Sequence, residues 1–209
     1  MAFDGDLGWL DWSPNGKHIA FSYSRGKDTK NPIPDSRMDI IDIYIISVDG
    51  GEPKRLTKMD KKGFKFTSSR WSPDGKKVAF RSMDFSQAGL EGKGEPMGIW
   101  TIDVRSGDHK LITTGLDAWR FCWSPDGRYI ISSKHEEDSK EQWMMDHRLY
   151  RVSAEGGKPE KLNIMGKAPD FSPDGKKIVF SRTIQSGDEY WLVENFLPKN
   201  KTESKGGQK

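Results

Sequence analysis

The densest set of chemistry-bearing side chains lies in "HEEDSKEQWMMDH", residues 135–147. Two imidazoles, His135 and His147, bracket Glu136, Glu137, Asp138, Gln142 and Asp146, and these nitrogen and oxygen donors are of kinds that hold a divalent metal. Neither histidine stands at a spacing that fixes both on one face of an element, so a solvated acidic loop is the preferred reading. A second set repeats along the chain: Ser13, Ser72, Ser124 and Ser172 each stand two residues before Asn15, Asp74, Asp126 or Asp174. A serine nucleophile needs a strained G-x-S-x-G elbow with histidine and acid partners, and that pattern is absent. One carboxylate per turn is also too few for a calcium loop, which needs several oxygens at alternate positions and a bidentate acid. "LEGKGEP" (90–96) is glycine-rich but precedes no helix, so it does not read as a phosphate cradle. No catalytic residue and no cofactor are assigned.

The serines belong to a recurring unit. "WSPNGKHIAFS" begins at Trp12, "WSPDGKKVAFRS" at Trp71, "WSPDGRYIISS" at Trp123 and "FSPDGKKIVFS" at Phe171, spaced 59, 52 and 48 residues apart (12 to 71, 71 to 123, 123 to 171). Repeats of about 40 to 50 residues built from short strands are a sign of propeller blades. In each unit a strand a ends at the aromatic and a strand b follows the turn. A strand c reads "IYIISV" (43–48), "GIWTIDV" (98–104), "RLYRVS" (148–153) or "YWLVEN" (190–195). A weaker strand d follows in "PKRLT" (53–57), "HKLIT" (109–113) and "PEKLN" (159–163), and the last unit lacks it.

The connection between a and b is a turn by its own chemistry. Proline presets φ at the second position, Asp or Asn suits the third, and glycine supplies the left-handed fourth. This gives structural roles to Ser13, Pro14, Asn15 and Gly16; Ser72, Pro73, Asp74 and Gly75; Ser124, Pro125, Asp126 and Gly127; and Ser172, Pro173, Asp174 and Gly175.

The motif W/F-S-P-D/N-G-K/R, followed some twenty residues later by "IYIISVDGGEPKRLT" or its relatives, resembles the propeller repeat of the TolB family, which is related to Trp-Asp repeats. The resemblance covers residues 8 to 197. It implies an all-β propeller of four blades, each a three- to four-stranded antiparallel sheet, over residues 7–197. The blades fall at about 7–57, 64–113, 117–163 and 167–197, with 198–209 as a flexible basic tail. Such propellers usually have six or seven blades. The chain is therefore expected to be an arc of a larger propeller, with an incompletely closed small ring as the alternative. An arc would leave open blade edges and so favours self-association.

Members of the family serve as protein-docking scaffolds, as gating domains of serine peptidases and as sugar-cleaving lyases. Fold alone does not choose among these. The lyases use a His/Gln metal site, which the resemblance would transfer to His135, His147 and Gln142 as the less favoured alternative. An extracytoplasmic location is suggested by the resemblance only.

Antiparallel order puts the short a–b and c–d turns on one face of the disc and the long b–c and d–a loops on the other. Variable loops on a rigid scaffold are where binding residues usually sit. Phe64, Phe66, Phe85, Trp119, Trp143, Met144 and Met145 lie in or near those loops and suit a protein or peptide partner, with packing over blade edges as the competing role.

Bulk composition narrows the partners. Basic and acidic side chains number 34 and 31 and are interspersed, so no field for nucleic acid or anionic membrane is expected. Interleaved lysines and aromatics in 58–71 do not change that balance. No apolar run approaches the ~20 residues of a membrane-spanning helix, and a single cysteine, Cys122, excludes a disulfide within one chain. A non-enzymatic scaffold that docks a protein or peptide is the leading expectation, and part of an enzyme the second.

Overall fold

The computed structural model describes residues 7–24, 40–58, 63–86, 97–135, 147–184 and 187–194. The described residues form strands and turns without a helix. The first blade holds β1 (Leu7–Trp12), β2 (His18–Ser24), β3 (Ile41–Ser47) and a two-residue β4 (Lys54–Arg55). The second holds β5 (Phe64–Trp71), β6 (Lys77–Asp84), β7 (Gly98–Asp103) and β8 (His109–Thr114). In the third are β9 (Asp117–Trp123), β10 (Tyr129–His135), β11 (His147–Ser153) and β12 (Glu160–Met165). Among the described residues the fourth has β13 (Lys167–Phe171), β14 (Lys177–Ile184) and β15 (Gly187–Glu194).

Neighbouring strands within each blade are antiparallel, and one parallel bridge, Ile41 to Lys65, ties β3 to β5. The inner strands β1, β5, β9 and β13 stand side by side in chain order, and the set does not close into a ring. The all-β propeller expected from the repeats is therefore present as an arc.

Each junction between blades is an apolar core. Ala20, Ile43, Ile45 and Leu56 of the first blade pack against Phe64, Phe66, Trp71, Val78, Phe80 and Ile102 of the second. Ala79, Ile99 and Ile112 meet Phe121, Trp123, Ile130 and Val152, and Ile131 and Leu149 meet Ile178 and Phe180. Period-2 alternation supplies this directly, since successive side chains of a strand face opposite neighbours.

All four a–b turns share one hydrogen-bond pattern. The Ser124 hydroxyl donates to Asp126 Oδ1 at 2.6 Å and accepts from the Tyr129 amide at 2.9 Å, while Asp126 Oδ1 also accepts from the Arg128 amide. Ser72 with Asp74, Ser172 with Asp174, and Ser13 with Asn15 repeat these bonds. The turn glycine has φ near +69° at Gly75 and Gly127, a conformation a Cβ disfavours. Turns also abut from blade to blade: a Cβ on Gly75 would sit 3.8 Å from Pro14, and one on Gly127 would sit 3.8 Å from Pro73.

Two carboxylate environments give opposite pH dependences. Burial pushes Asp126 up, but the Ser124 hydroxyl and the Arg128 amide and side chain outweigh it and hold the carboxyl below the usual 3.8. Burial dominates at Asp11 and raises it, against the lowering effect of the Trp71 amide and of Arg70. A depressed folded-state value stabilises above the unfolded value and is lost as pH falls through the folded one, and a raised value does the reverse. Asp126 thus stabilises the fold above about pH 4 and Asp11 below it.

Three substitutions test this. Ser124 is fully buried, so Ser124→Ala should cost about 1 to 3 kcal/mol in urea unfolding by orphaning the Tyr129 amide and freeing Asp126. Because Asn15 already makes the same turn bonds in the first blade, Asp126→Asn should keep the fold and weaken the loss of Tm on acidification below about pH 4. Asp11→Asn should shift Tm in the opposite sense, raising it at neutral pH relative to acid. Identical pH profiles for the two variants would contradict the assignment.

Candidate functional site

The inner strands carry irregularities where they begin, on the loop-rich face. Register shifts lie between Gly8 and Asp11, between Thr67 and Arg70, and between Lys167 and Asp170, and Trp9, Ser68 and Ala168 have φ of 45°, 56° and 54°. Bulges of this kind bend a strand and re-aim its side chains. The third blade places Arg120 at the same repeat position, three residues before its aromatic, with its own shift between Ser132 and Ser133. Trp9, Ser68, Arg120 and Ala168 therefore gather where the inner strands start. Their neighbours lock together: Ser69 Oγ donates to the Trp9 carbonyl at 2.9 Å, and Ser68 Oγ donates to that of Trp119 at 3.2 Å. The Arg120 guanidinium reaches to 5.7 Å from the Trp9 ring, linking the third blade to the first.

A cleft of about 630 Å³ opens here between the third and fourth blades. Its walls include Trp119, Arg120, Ser133, His147, Lys167, Ser181 and Tyr190. Among the described lining residues three are basic and none is a carboxylate, in a chain whose overall charges nearly balance. Trp119 is 50% exposed and is held from behind by Arg81, whose Cζ lies 3.8 Å from the ring centroid. A guanidinium stacked at that distance is a cation–π contact that fixes an otherwise solvated indole in one pose. The arrangement offers an aromatic platform beside clustered positive charge, suited to an anionic ligand with apolar parts.

The structure separates the residues expected to bind. Trp119 lies on the cleft. Phe85 is half-buried, with Lys65 Nζ 5.7 Å from its ring. Phe64 and Phe66 are buried in the core between the first and second blades, where Phe66 meets Phe64 and Phe80 edge to face, and both take the packing role. Trp143, Met144 and Met145 lie outside the described residues, as do Gln142 and the acids between the two histidines. His135 and His147 are direct cross-strand partners on β10 and β11, with ring centroids 5.8 Å apart. Among the described residues no group of three or more His, Cys, Asp or Glu is placed to hold a metal. The turn residues make the structural bonds described above.

Arg120, Lys167, Ser133, Ser181 and Tyr190 were not singled out by the sequence. The available signal was positional, because the third and fourth residues before each blade aromatic lie at the irregular part of the inner strand. A second cleft, of about 410 Å³, lies on the opposite face between the turns at Ser72 and Pro125. It is lined by turn residues and by both signs of charge, among them Lys77 and Glu155, which pair at 3.2 Å.

Comparisons with known proteins agree with this architecture. The chain is 27% identical to the uncharacterized peptidase YuxL of Bacillus subtilis, over 58% of this chain and 21% of that protein. The crystal structure of TolB from Acinetobacter baumannii superposes with a TM-score of 0.62 at 21% identity, covering 93% of this chain and 42% of that one. An oligogalacturonate lyase in complex with manganese superposes with a TM-score of 0.59 at 18% identity, over 93% of this chain and 49% of the lyase. The chain thus spans less than half the length of each. The family profile for the TolB beta propeller domain matches residues 2–195, and with four blades of that repeat the chain belongs to this family.

Proposed function

We propose that this chain is a propeller binding module whose loop-rich face docks a protein or peptide, with the cleft between the third and fourth blades receiving an acidic segment of that partner. The cleft itself carries the reading: the half-exposed Trp119 stands beside Arg120, Lys167 and His147, with no carboxylate among the described lining residues. Aromatic and arginine side chains are the usual anchors of protein interfaces, aromatics because they add large contact area at small entropic cost and arginine because it pairs with carboxylates through two hydrogen bonds. Partner contacts are also assigned to Phe85 and to the loop residues Trp143, Met144 and Met145. The open faces of the terminal blades make self-association part of the proposal.

Binding of a fluorescent ten-residue acidic peptide carrying one central Phe, followed by anisotropy, tests the cleft. Trp119→Ala and the double variant Arg120→Glu, Lys167→Glu should each weaken binding at least tenfold, with Tm within about 2 °C of the parent chain. Added salt should weaken binding to the parent chain as well. Equal binding by parent and variants, or equal binding of a matched basic peptide, would refute the cleft assignment.

A second reading makes the chain part of an enzyme, and the facing pair His135 and His147 supports its lyase-like form. Two adjacent imidazoles are suited to a divalent ion once Gln142 or an acid of the intervening loop adds a third donor. Calorimetric titration with Mn²⁺ should then show one site per chain, lost in His147→Ala. Absence of a stoichiometric site in the parent chain would eliminate this form.

A further inference from the structure

The four blades set an internal standard for each position of the hairpin formed by strands a and b. Ser22, Arg81, Ser133 and Ser181 are equivalent, each ten residues after Trp12, Trp71, Trp123 or Phe171. In the first and fourth blades the serine hydroxyl is used within the blade. Ser22 Oγ donates to the Gly8 carbonyl at 2.7 Å, and Ser181 Oγ donates to the Lys167 carbonyl at 3.3 Å. Both carbonyls belong to the residue four places before the blade aromatic. In the third blade that residue is Trp119, and its carbonyl accepts from Ser68 Oγ of the second blade instead. Ser133 is 3% exposed, yet among the described residues its hydroxyl has no hydrogen-bond partner.

The strand register gives the cause. Trp9 and Leu10 bulge from β1, Ser68 and Ser69 from β5, and Ala168 and Pro169 from β13, each pair opposite a single residue of strand b. In β9 the bulge is longer: Ala118, Trp119 and Arg120 stand between Asp117 and Phe121, which pair with the successive residues Ser133 and Ser132. A bulge re-aims the side chains it contains. Here it exposes Trp119 and Arg120 on the cleft and takes the Trp119 carbonyl away from Ser133. Among the described residues Arg120 pairs with no carboxylate, and its guanidinium lies 5.7 Å from the Trp9 ring. A buried hydroxyl without a partner is a cost to the fold, and native proteins hold few of them. This one lines the cleft beside an arginine that is itself uncommitted.

We infer that Ser133 and Arg120 form a carboxylate subsite at the floor of the cleft, which receives one Asp or Glu side chain of the docked segment while Trp119 covers the residue beside it. The donors match that group. A guanidinium presents two parallel N–H bonds to the two oxygens of a carboxylate, and the hydroxyl adds a third donor, which the remaining lone pairs of the same group accept. An Asn or Gln side chain would turn N–H donors toward these donors, so the subsite selects the acid over its amide. Lys167 and His147 line the same cleft and add positive charge around the subsite at a longer range. The inference rests on the reading of the cleft as the docking site of an acidic segment and names the atoms that select the acid.

The test uses the acidic Phe-bearing peptide and a counterpart in which every acid is replaced by its amide. Ser133→Ala should weaken binding of the acidic peptide about tenfold and leave binding of the amide peptide unchanged. Its Tm should stay within about 2 °C of the parent chain, because no bond inside the protein is lost. Ser22→Ala is the control: it removes the bond to the Gly8 carbonyl, so it should lower Tm and leave binding intact. Arg120→Ala and Ser133→Ala combined should lose less than the product of their separate losses, since both act on one carboxylate. If Trp119→Ala abolishes binding while Ser133→Ala does not change it, the subsite is overturned and the docking cleft stands. Losses that multiply independently, or a fall in Tm for Ser133→Ala as large as that for Ser22→Ala, would also overturn the subsite. Failure of the parent chain to bind the acidic peptide would overturn both readings.

Discussion

A propeller blade is a single sheet with two apolar faces, and neither face can remain in water at low cost. Nearly everything in this structure follows from that constraint. Ile43, Ile99 and Leu149 disappear completely from solvent only because another blade stands over them. The strand residues that build each blade also make its junctions, so the fold is a stack of nearest-neighbour interfaces rather than one central core. The three apolar clusters map onto the three junctions of four blades.

The S-P-D-G turn serves this stacking twice. Within a blade, the serine hydroxyl bridges the acid and the backbone five residues on, closing the hairpin between the inner strand and its neighbour. Between blades, the proline of one turn lies against the glycine of the next; a Cβ would make ordinary contact there at Gly75 and Gly127 and would clash with Pro125 at Gly175. Glycine is needed in all four turns for its positive φ, and at Gly175 also for its missing Cβ. The blade aromatic completes the contact: Trp123 fills the space under the preceding blade and hydrogen-bonds to its inner strand.

This explains what could be read from the sequence. Turn chemistry and strand alternation act within a few residues, so the blades and their order were legible. Phe64 and Phe66 were less so. They follow the lysine-rich "KMDKK" and a glycine, which suggests loop, yet their spacing of two is already that of β5 and carries both rings into the core. Trp119 was visible as an aromatic near a loop. Its basic companions were not, because Arg120 and Lys167 are 47 positions apart (120 to 167) and meet only when two blades pack.

The residue just before the blade aromatic separates scaffold from freedom. It is Asp11, Arg70, Cys122 and Asp170 in the four blades, an acid, a base, a buried thiol and an acid at one structural position. Burial pushes the Cys122 thiol well up, so it packs as a small apolar group, while Asp11 instead accepts a backbone hydrogen bond from the next blade and lies 3.9 Å from Arg70. Positions that face a neighbouring blade tolerate little besides apolar residues of fitting size, since each loss of contact is felt as a cavity. Along the inner strand the side chains meet across the center of the arc, where charge can be balanced in several ways. Chemistry can therefore differ from blade to blade at the inner strands and their mouth without disturbing the stack, and that is where Arg120 and Lys167 lie.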